Sequence, residues 1–195
     1  ALYGGTLHAA SITKNGKIIF INRYFAKTYT NKRLYESSLP NGEKASSIAC
    51  MESNVFVLST SGHVYSSIID KSSSILKFSS VQELADEEIV CLSGTSNHCL
   101  AVNKEGKTFG YGSNKSGQLG FPRGQKSVQS FIKISSLQEY EIKAAYAGYN
   151  HSLFVTTEGK VLSCGSDLYG ELLLNESTNI EIYTPTETRI TEGAT

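Results

Sequence analysis

Three histidines, His8, His98 and His151, each stand eight residues before a glycine (Gly16, Gly106 and Gly159) and precede four mostly apolar residues. Imidazole titrates near neutral pH and binds zinc, so acid–base catalysis and a metal centre are the first chemistries to test. The spacing argues against both. One shared register points to one shared structural job, and a further copy of the pattern has Asn54 in that position before Gly62, which breaks any histidine ring. A histidine at a strand start can hydrogen-bond the adjacent unit and tie the two together. The four cysteines, Cys50, Cys91, Cys99 and Cys164, show no zinc-site spacing and no dense disulfide framework. They read as buried thiols in a reducing compartment, with a Cys91–Cys99 bridge as the alternative. The glycines from Gly110 to Gly120 lack a Lys-Ser/Thr following in the right place and precede no helix, so they read as turn glycines rather than a phosphate loop. No Ser-His-Asp order with a nucleophile elbow and no paired-carboxylate motif occurs. The expectation is no catalytic residue, no cofactor and no metal.

Bulk properties narrow the classes further. The 195 residues carry 18 Lys+Arg against 18 Asp+Glu, and 39% are hydrophobic. A chain living off phosphate contacts would show a basic excess, and Asn31-Lys32-Arg33 reads as a solvated loop, so no direct nucleic-acid contact is expected. No apolar run reaches membrane-span length and no signal peptide is visible. The expected setting is intracellular, cytoplasmic or nuclear, where the sequons at Asn114, Asn150 and Asn175 carry no glycan.

The elements that hold these residues repeat. Each copy has a polar residue (His8, Asn54, His98, His151), an apolar run, a polar tripeptide, the anchor glycine and a second apolar run. This is a β-hairpin grammar: the four-residue loop is built on a type I turn whose last residue takes positive φ. Gly16, Gly62, Gly106 and Gly159 meet that need without invoking function. An apolar run precedes each polar loop in copies two to four (Ser47–Met51, Ile89–Ser93, Ile142–Ala147). A fourth run falls in the connections, as at Ile75–Phe78 and Phe131–Ile134. Four strands per repeat, at spacings of 46, 44 and 53 residues between anchors, predict an all-β propeller of about four blades in one domain. The repeats are approximately 1–40, 41–85, 86–138 and 139–195. Val81–Glu88 is expected to form a helical turn or two, and Ile180–Pro185 an outer strand leading toward a fifth blade.

The third and fourth copies resemble a known repeat. Gly94 to His98, the Glu105-Gly106 turn and Tyr111-Gly112-Ser113-Asn114-Lys115-Ser116-Gly117-Gln118-Leu119-Gly120 are similar to the regulator of chromosome condensation repeat. Gly148 to His151, Glu158-Gly159 and Cys164 to Leu172 follow the same pattern. Copies one and two keep the hairpin but have Phe20-Ile21-Asn22 and Tyr65-Ser66-Ser67 where the Gly-rich portion should begin, and no Trp occurs anywhere. The resemblance implies a seven-bladed parent propeller. It implies functions ranging from nucleotide exchange on a small GTPase to modules of ubiquitin ligases and scaffolds. The chain starts at Ala1, almost at the polar loop of copy one. The expectation is that it belongs to a longer protein, or that open blade faces lead to self-association.

Fold alone does not settle function. The reading adopted is a non-catalytic protein-interaction module that binds a protein partner through loops at one rim. The alternatives are a guanine nucleotide exchange factor and the substrate-binding part of a larger ubiquitin ligase. Exchange would require an acidic mouth, and the positions before the register residue are Leu7, Ser53, Asn97 and Asn150, with Glu52 the one carboxylate nearby. Candidate partner contacts are Asn97, His98, Tyr149, Asn150 and His151 in the polar loops, and Asn114, Lys115, Gln118, Arg123 and Lys126 in the longer rim of copy three. Tyr24, Tyr29, Tyr35 and Tyr140 are further aromatic anchors to weigh.

Overall fold

The chain is seen in a computed structural model, which describes residues 2–4, 8–22, 36–70, 75–174 and 180–189. Tyr24, Tyr29, Tyr35, Asn31 to Arg33 and Asn175 lie outside the described residues.

Among the described residues sixteen strands form four antiparallel sheets of four consecutive strands each. The first blade is β1 (Leu2–Gly4), β2 (His8–Ile12), β3 (Ile18–Asn22) and β4 (Glu36–Ser37). The second is β5 (Ala45–Cys50), β6 (Asn54–Ser59), β7 (Val64–Ile68) and β8 (Ser79–Ser80). The third is β9 (Ile89–Gly94), β10 (His98–Asn103), β11 (Thr108–Ser113) and β12 (Ser127–Lys133). The fourth is β13 (Ile142–Ala147), β14 (His151–Thr156), β15 (Val161–Ser166) and β16 (Glu181–Glu187). The first strands of successive blades lie against each other, so β1, β5, β9 and β13 converge toward the propeller axis.

Three details bear on the sequence expectation. Val81–Glu88 yields a single 3-10 turn at Gln82–Leu84, matched in position by one at Ser135–Leu137. The fourth strand of blade 2 is Ser79–Ser80 rather than Ile75–Phe78. The apolar run before it is used across a seam: Leu76 is buried with the first two blades and its N–H donates to Ser37 Oγ. Glu181–Glu187 pairs with β15 as the outer strand of blade 4, where the sequence placed one from Ile180 to Pro185.

The core is three slabs, one per seam. Ala10, Ile18 and Phe20 pack on Val55, Val57 and Tyr65 between blades 1 and 2. Phe56 and Leu58 pack on Leu92, Cys99 and Phe109 between blades 2 and 3, with the Phe56 ring edge-on to Tyr111 at 4.9 Å. Leu100, Val102 and Leu119 pack on Ala145, Phe154 and Leu162 between blades 3 and 4. Alternate residues of each strand thus face opposite neighbours, as a two-sided sheet requires.

The anchor glycines help set the seams. Gly16, Gly62, Gly106 and Gly159 have φ of 77°, 87°, 76° and 86°. Each closes its turn by donating its N–H to the carbonyl three residues back, for example Gly106 to Asn103 at 3.0 Å. In the first three copies the glycine carbonyl also accepts from the first strand of the next blade: Ala45, Ile89 and Ile142 donate to Gly16, Gly62 and Gly106 at 3.0, 3.0 and 3.1 Å.

Candidate functional site

The polar loops Thr95–Asn97 and Gly148–Asn150 and the rim Ser113–Lys126 lie at one end of blades 3 and 4, because His98 pairs with Gly112 and His151 with Gly165. The hairpin turns at Gly106 and Gly159 lie at the other end.

His98 is fully buried and spans the seam. Its Nε2 is 2.9 Å from Ser152 Oγ on β14, and its Nδ1 is 2.8 Å from the Asn97 amide. Ser152 Oγ donates to the Gln118 carbonyl at 2.6 Å, so Nε2 is the donor to Ser152. Burial holds the His98 pKa down to about 3, with the nearby His151 a smaller push in the same direction. The ring is therefore neutral. Asn97 Nδ2 donates to Asn150 Oδ1 at 2.8 Å, which joins the two polar loops. In blade 2 the same register position, Asn54, donates to Tyr111 OH at 3.1 Å across its own seam.

His98, Asn114 and Gln118 are corrected as partner contacts: all three are buried. Asn114 closes its own loop, donating to the Phe121 and Gln125 carbonyls at 3.0 and 2.8 Å and accepting from the Leu119 N–H at 3.0 Å. Gln118 Oε1 accepts from Ser116 N–H at 2.9 Å. Blade 4 repeats both contacts, with Asp167 accepting from Leu172 N–H at 3.0 Å and Glu171 from Tyr169 N–H at 2.8 Å. The Asn-x-x-x-Gln-Leu spacing is thus a self-supporting loop that plugs Leu119 into the seam, and its recurrence at Asp167-x-x-x-Glu171-Leu172 was the readable signal. A Cβ at Gly117, whose φ is 83°, would lie 2.6 Å from the Ile182 carbonyl oxygen, so the loop backbone rests directly on β16.

The other candidates remain on the surface. Lys115, Arg123 and Lys126 are exposed, Tyr149 is 68% exposed, and Asn150 and His151 are partly so. Tyr140 is half-buried against the slab between blades 3 and 4. Sequence reasoning missed the apolar side chains that share the rim, Leu168 and Ile180, and the exposed Tyr169 beside them.

Chemical alternatives find no support in the geometry. Among the described residues no three His, Cys, Asp or Glu side chains converge as a metal site would need. Ser61, His63 and Glu43 meet on the surface, yet Ser61 Oγ and Glu43 Oε1 approach the same ring nitrogen, Nδ1, at 3.3 and 2.7 Å. A serine–imidazole–carboxylate relay needs the two partners on opposite nitrogens. All four cysteines are free, and burial pushes the Cys50 thiol up to about 12. Cys99 packs toward blade 2 while Cys91 packs toward blade 4, so the Cys91–Cys99 alternative is overturned.

Comparison with known proteins fits this geometry. Residues 105–155 and 142–171 match models of the regulator of chromosome condensation (RCC1) repeat. Residues 105–171 carry these repeats. It is 36% identical over 81 residues to a secretion-regulating guanine nucleotide exchange factor of Bos taurus, covering 42% of this chain and 17% of that protein. Against the human probable E3 ubiquitin-protein ligase HERC3 it is 31% identical over 101 residues, 52% of this chain and 10% of that one. The crystal structure of Prp20p from Saccharomyces cerevisiae, described with its binding to Gsp1p and histones, superposes with a TM-score of 0.78 at 15% identity over 99% of this chain and 50% of that chain. The chain thus spans less than a fifth of those two curated relatives and half of that solved propeller. Among the described residues no helix is long and apolar enough to cross a membrane.

Proposed function

We propose that these regulator of chromosome condensation repeats form a protein-binding module without chemistry of its own, which engages a partner at the end of blades 3 and 4 where the loops gather. One observation carries the reading. The cationic side chains of Lys115, Arg123 and Lys126 and the apolar side chains of Leu168 and Ile180 are exposed together on one rim. Cationic and apolar groups side by side are a recognition surface rather than a solvated face. The histidine network behind it is consumed in joining blades and supplies rigidity to the loops. The expected setting stays intracellular, with the blade faces at the two ends of the arc as a route to self-association.

A photo-crosslinking side chain at Lys126 tests this. Crosslinks to protein are expected there in cell extract and not from the same group at Lys104, in the hairpin turn at the opposite end of blade 3. Equal labelling from both positions would sink the reading.

A second reading, nucleotide exchange on a small GTPase, is favoured by the name of the 36%-identical relative. Release of fluorescent nucleotide from a panel of small GTPases discriminates the two, and unchanged rates across the panel would remove exchange. The third, a substrate-binding part of a ubiquitin ligase, follows from the likeness to HERC3 and requires a catalytic region outside these repeats.

A further inference from the structure

The rim carries more information than its exposure. The insert after Gly120 is fastened across the seam onto the last strand of blade 4. Tyr183 on β16 donates its hydroxyl to the Lys115 carbonyl at 2.6 Å. The Arg123 guanidinium lies 5.1 Å from the centre of the Tyr183 ring and 4.0 Å from Glu181. Beside this fastening is a recess of about 370 Å³ lined by Arg123, Ser166, Leu168, Ile180 and Glu181. Its apolar members, Leu168 and Ile180, are each 53% exposed. The backbone bond from Asp167 N–H to the Ile180 carbonyl, 3.2 Å, joins the two segments that carry them. Two large aliphatic side chains are therefore held half-uncovered on neighbouring segments by a hydrogen-bonded frame.

The charges around this recess are not self-compensating. Among the described residues Lys115 and Lys126 have no ion-pair partner, and Arg123 reaches its one carboxylate, Glu181, only at the 4.0 Å limit. Glu181 is also engaged by the Tyr183 hydroxyl at 3.1 Å. The nearby Glu171 caps the Tyr169 N–H. On this part of the rim the three cations Lys115, Arg123 and Lys126 stand against the two carboxylates Glu171 and Glu181, beside an apolar floor. Such an edge attracts carboxylates and repels a basic partner. The floor itself, Leu168 and Ile180, is aliphatic and suits an apolar peptide side chain, while the exposed Tyr169 beside it is a flat face on which a base could stack.

We propose that this recess takes an extended acidic segment of a partner protein. One apolar side chain would seat against Leu168 and Ile180, with flanking carboxylates on Arg123, Lys126 and Lys115. The proposal rests on the reading of this rim as a protein-binding surface and names the chemistry of what it binds.

Fluorescence anisotropy with labelled nonapeptides tests it. The probes are a central Leu flanked by Asp and Glu, the same frame with central Ser, a Lys-flanked Leu peptide, and a single-stranded oligonucleotide of equal negative charge. The acidic Leu peptide is expected to bind best and to weaken as salt rises. Neutralising Arg123→Ala with Lys126→Ala is expected to weaken it about five- to tenfold, and Leu168→Ser about fivefold. Leu168 and Lys126 are exposed, so Leu168→Ser and Lys126→Ala alone should keep the parent melting temperature, and Lys126→Ala alone should still weaken acidic-peptide binding. Arg123→Ala also removes the contacts with Tyr183 and Glu181. Equal binding of the Lys-flanked or Ser-centred peptide, tighter binding of the oligonucleotide, or indifference to both variants would overturn the proposal. Crosslinking at Lys126 separates the two levels. Capture of protein there with no acidic-peptide binding discards this proposal and leaves the broader reading standing, whereas loss of both removes both.

Discussion

Blades 3 and 4 are nearly the same sequence unit in two different surroundings. In β10 all six residues from His98 to Asn103 are buried, because blade 2 covers one face and blade 4 the other. In β14 burial alternates: Ser152, Phe154 and Thr156 are buried against blade 3, while His151, Leu153 and Val155 are only partly covered. Leu100 and Leu153 therefore hold the same register and differ in what lies beyond them. The same contrast reaches the turns. A Cβ at Gly106 would meet the Ile142 nitrogen at 2.8 Å, whereas one at Gly159 would meet nothing within 4 Å. A repeat thus fixes the hairpin by itself, but the seam fixes how much each residue contributes.

The contrast is broken or sharpened most strongly at the leucines. Leu100→Ala is expected to lower the unfolding free energy by about 3 kcal/mol, because the cavity opens in a slab closed on both sides. Leu153→Ala should cost roughly 1 kcal/mol, since part of its surface is already in water. Urea denaturation of both variants checks this. Equal losses would mean that something covers blade 4 in solution, and light scattering on the same samples would show whether it is a second copy.

Next come the glycines. Ala at either anchor forces a residue with a Cβ into positive φ, at about 1 kcal/mol. At Gly106 the added carbon also pushes on Ile142, whose N–H it must keep bound to the Gly106 carbonyl. Gly106→Ala is therefore expected to lose about 2 kcal/mol and Gly159→Ala about 1 kcal/mol. Thermal unfolding at fixed concentration separates them, and indistinguishable melting temperatures would contradict the role given to the seam.

These differences explain which parts of the structure were legible. The hairpins were readable because a positive-φ glycine after a polar tripeptide is a local requirement of the chain. Blade number and strand order followed from repetition. Seam contacts were not readable, since they pair residues about 54 positions apart that share no local pattern, as His98 and Ser152 do. The Ile75–Phe78 run misled because an apolar run can serve a neighbouring sheet as readily as its own. Asn114 and Gln118 misled for a related reason: polar side chains in a Gly-rich loop look available to a partner, yet here they satisfy the loop's own backbone. Lys115, Arg123 and Lys126, which have no such local backbone to serve, stayed outside.

Acid provides a third separation. The His98 pKa lies at about 3 in the folded chain against a reference of 6.5. A depressed histidine is neutral when folded and takes up a proton on unfolding. Above pH 6.5 both states are neutral and nothing is lost, while below it the unfolded state gains protons and stability falls as pH drops toward 3. Between pH 7 and pH 5 this amounts to roughly 2 kcal/mol, above the range where most carboxylates titrate. His98→Gln should flatten that part of the stability–pH profile while lowering its plateau. A variant with an unchanged slope would show that His98 is solvated.

The smallest expected effect has the opposite sign. Two residues after the anchor glycine the copies read Ile18, Val64, Thr108 and Val161. Thr108 is buried at 2% exposure, and its Oγ1 is the buried side-chain oxygen without a hydrogen-bond partner among the described residues. A buried hydroxyl with no partner forfeits its bond to water and receives nothing in exchange. Valine has nearly the same shape and is what blades 2 and 4 already use. Thr108→Val is therefore expected to raise the unfolding free energy by about 1 kcal/mol, in the blade where every other buried change should lower it. A loss instead of a gain would mean that the hydroxyl is bonded in solution, to an ordered water held in the seam between blades 3 and 4, and that blade 3 is less tightly closed than its burial implies.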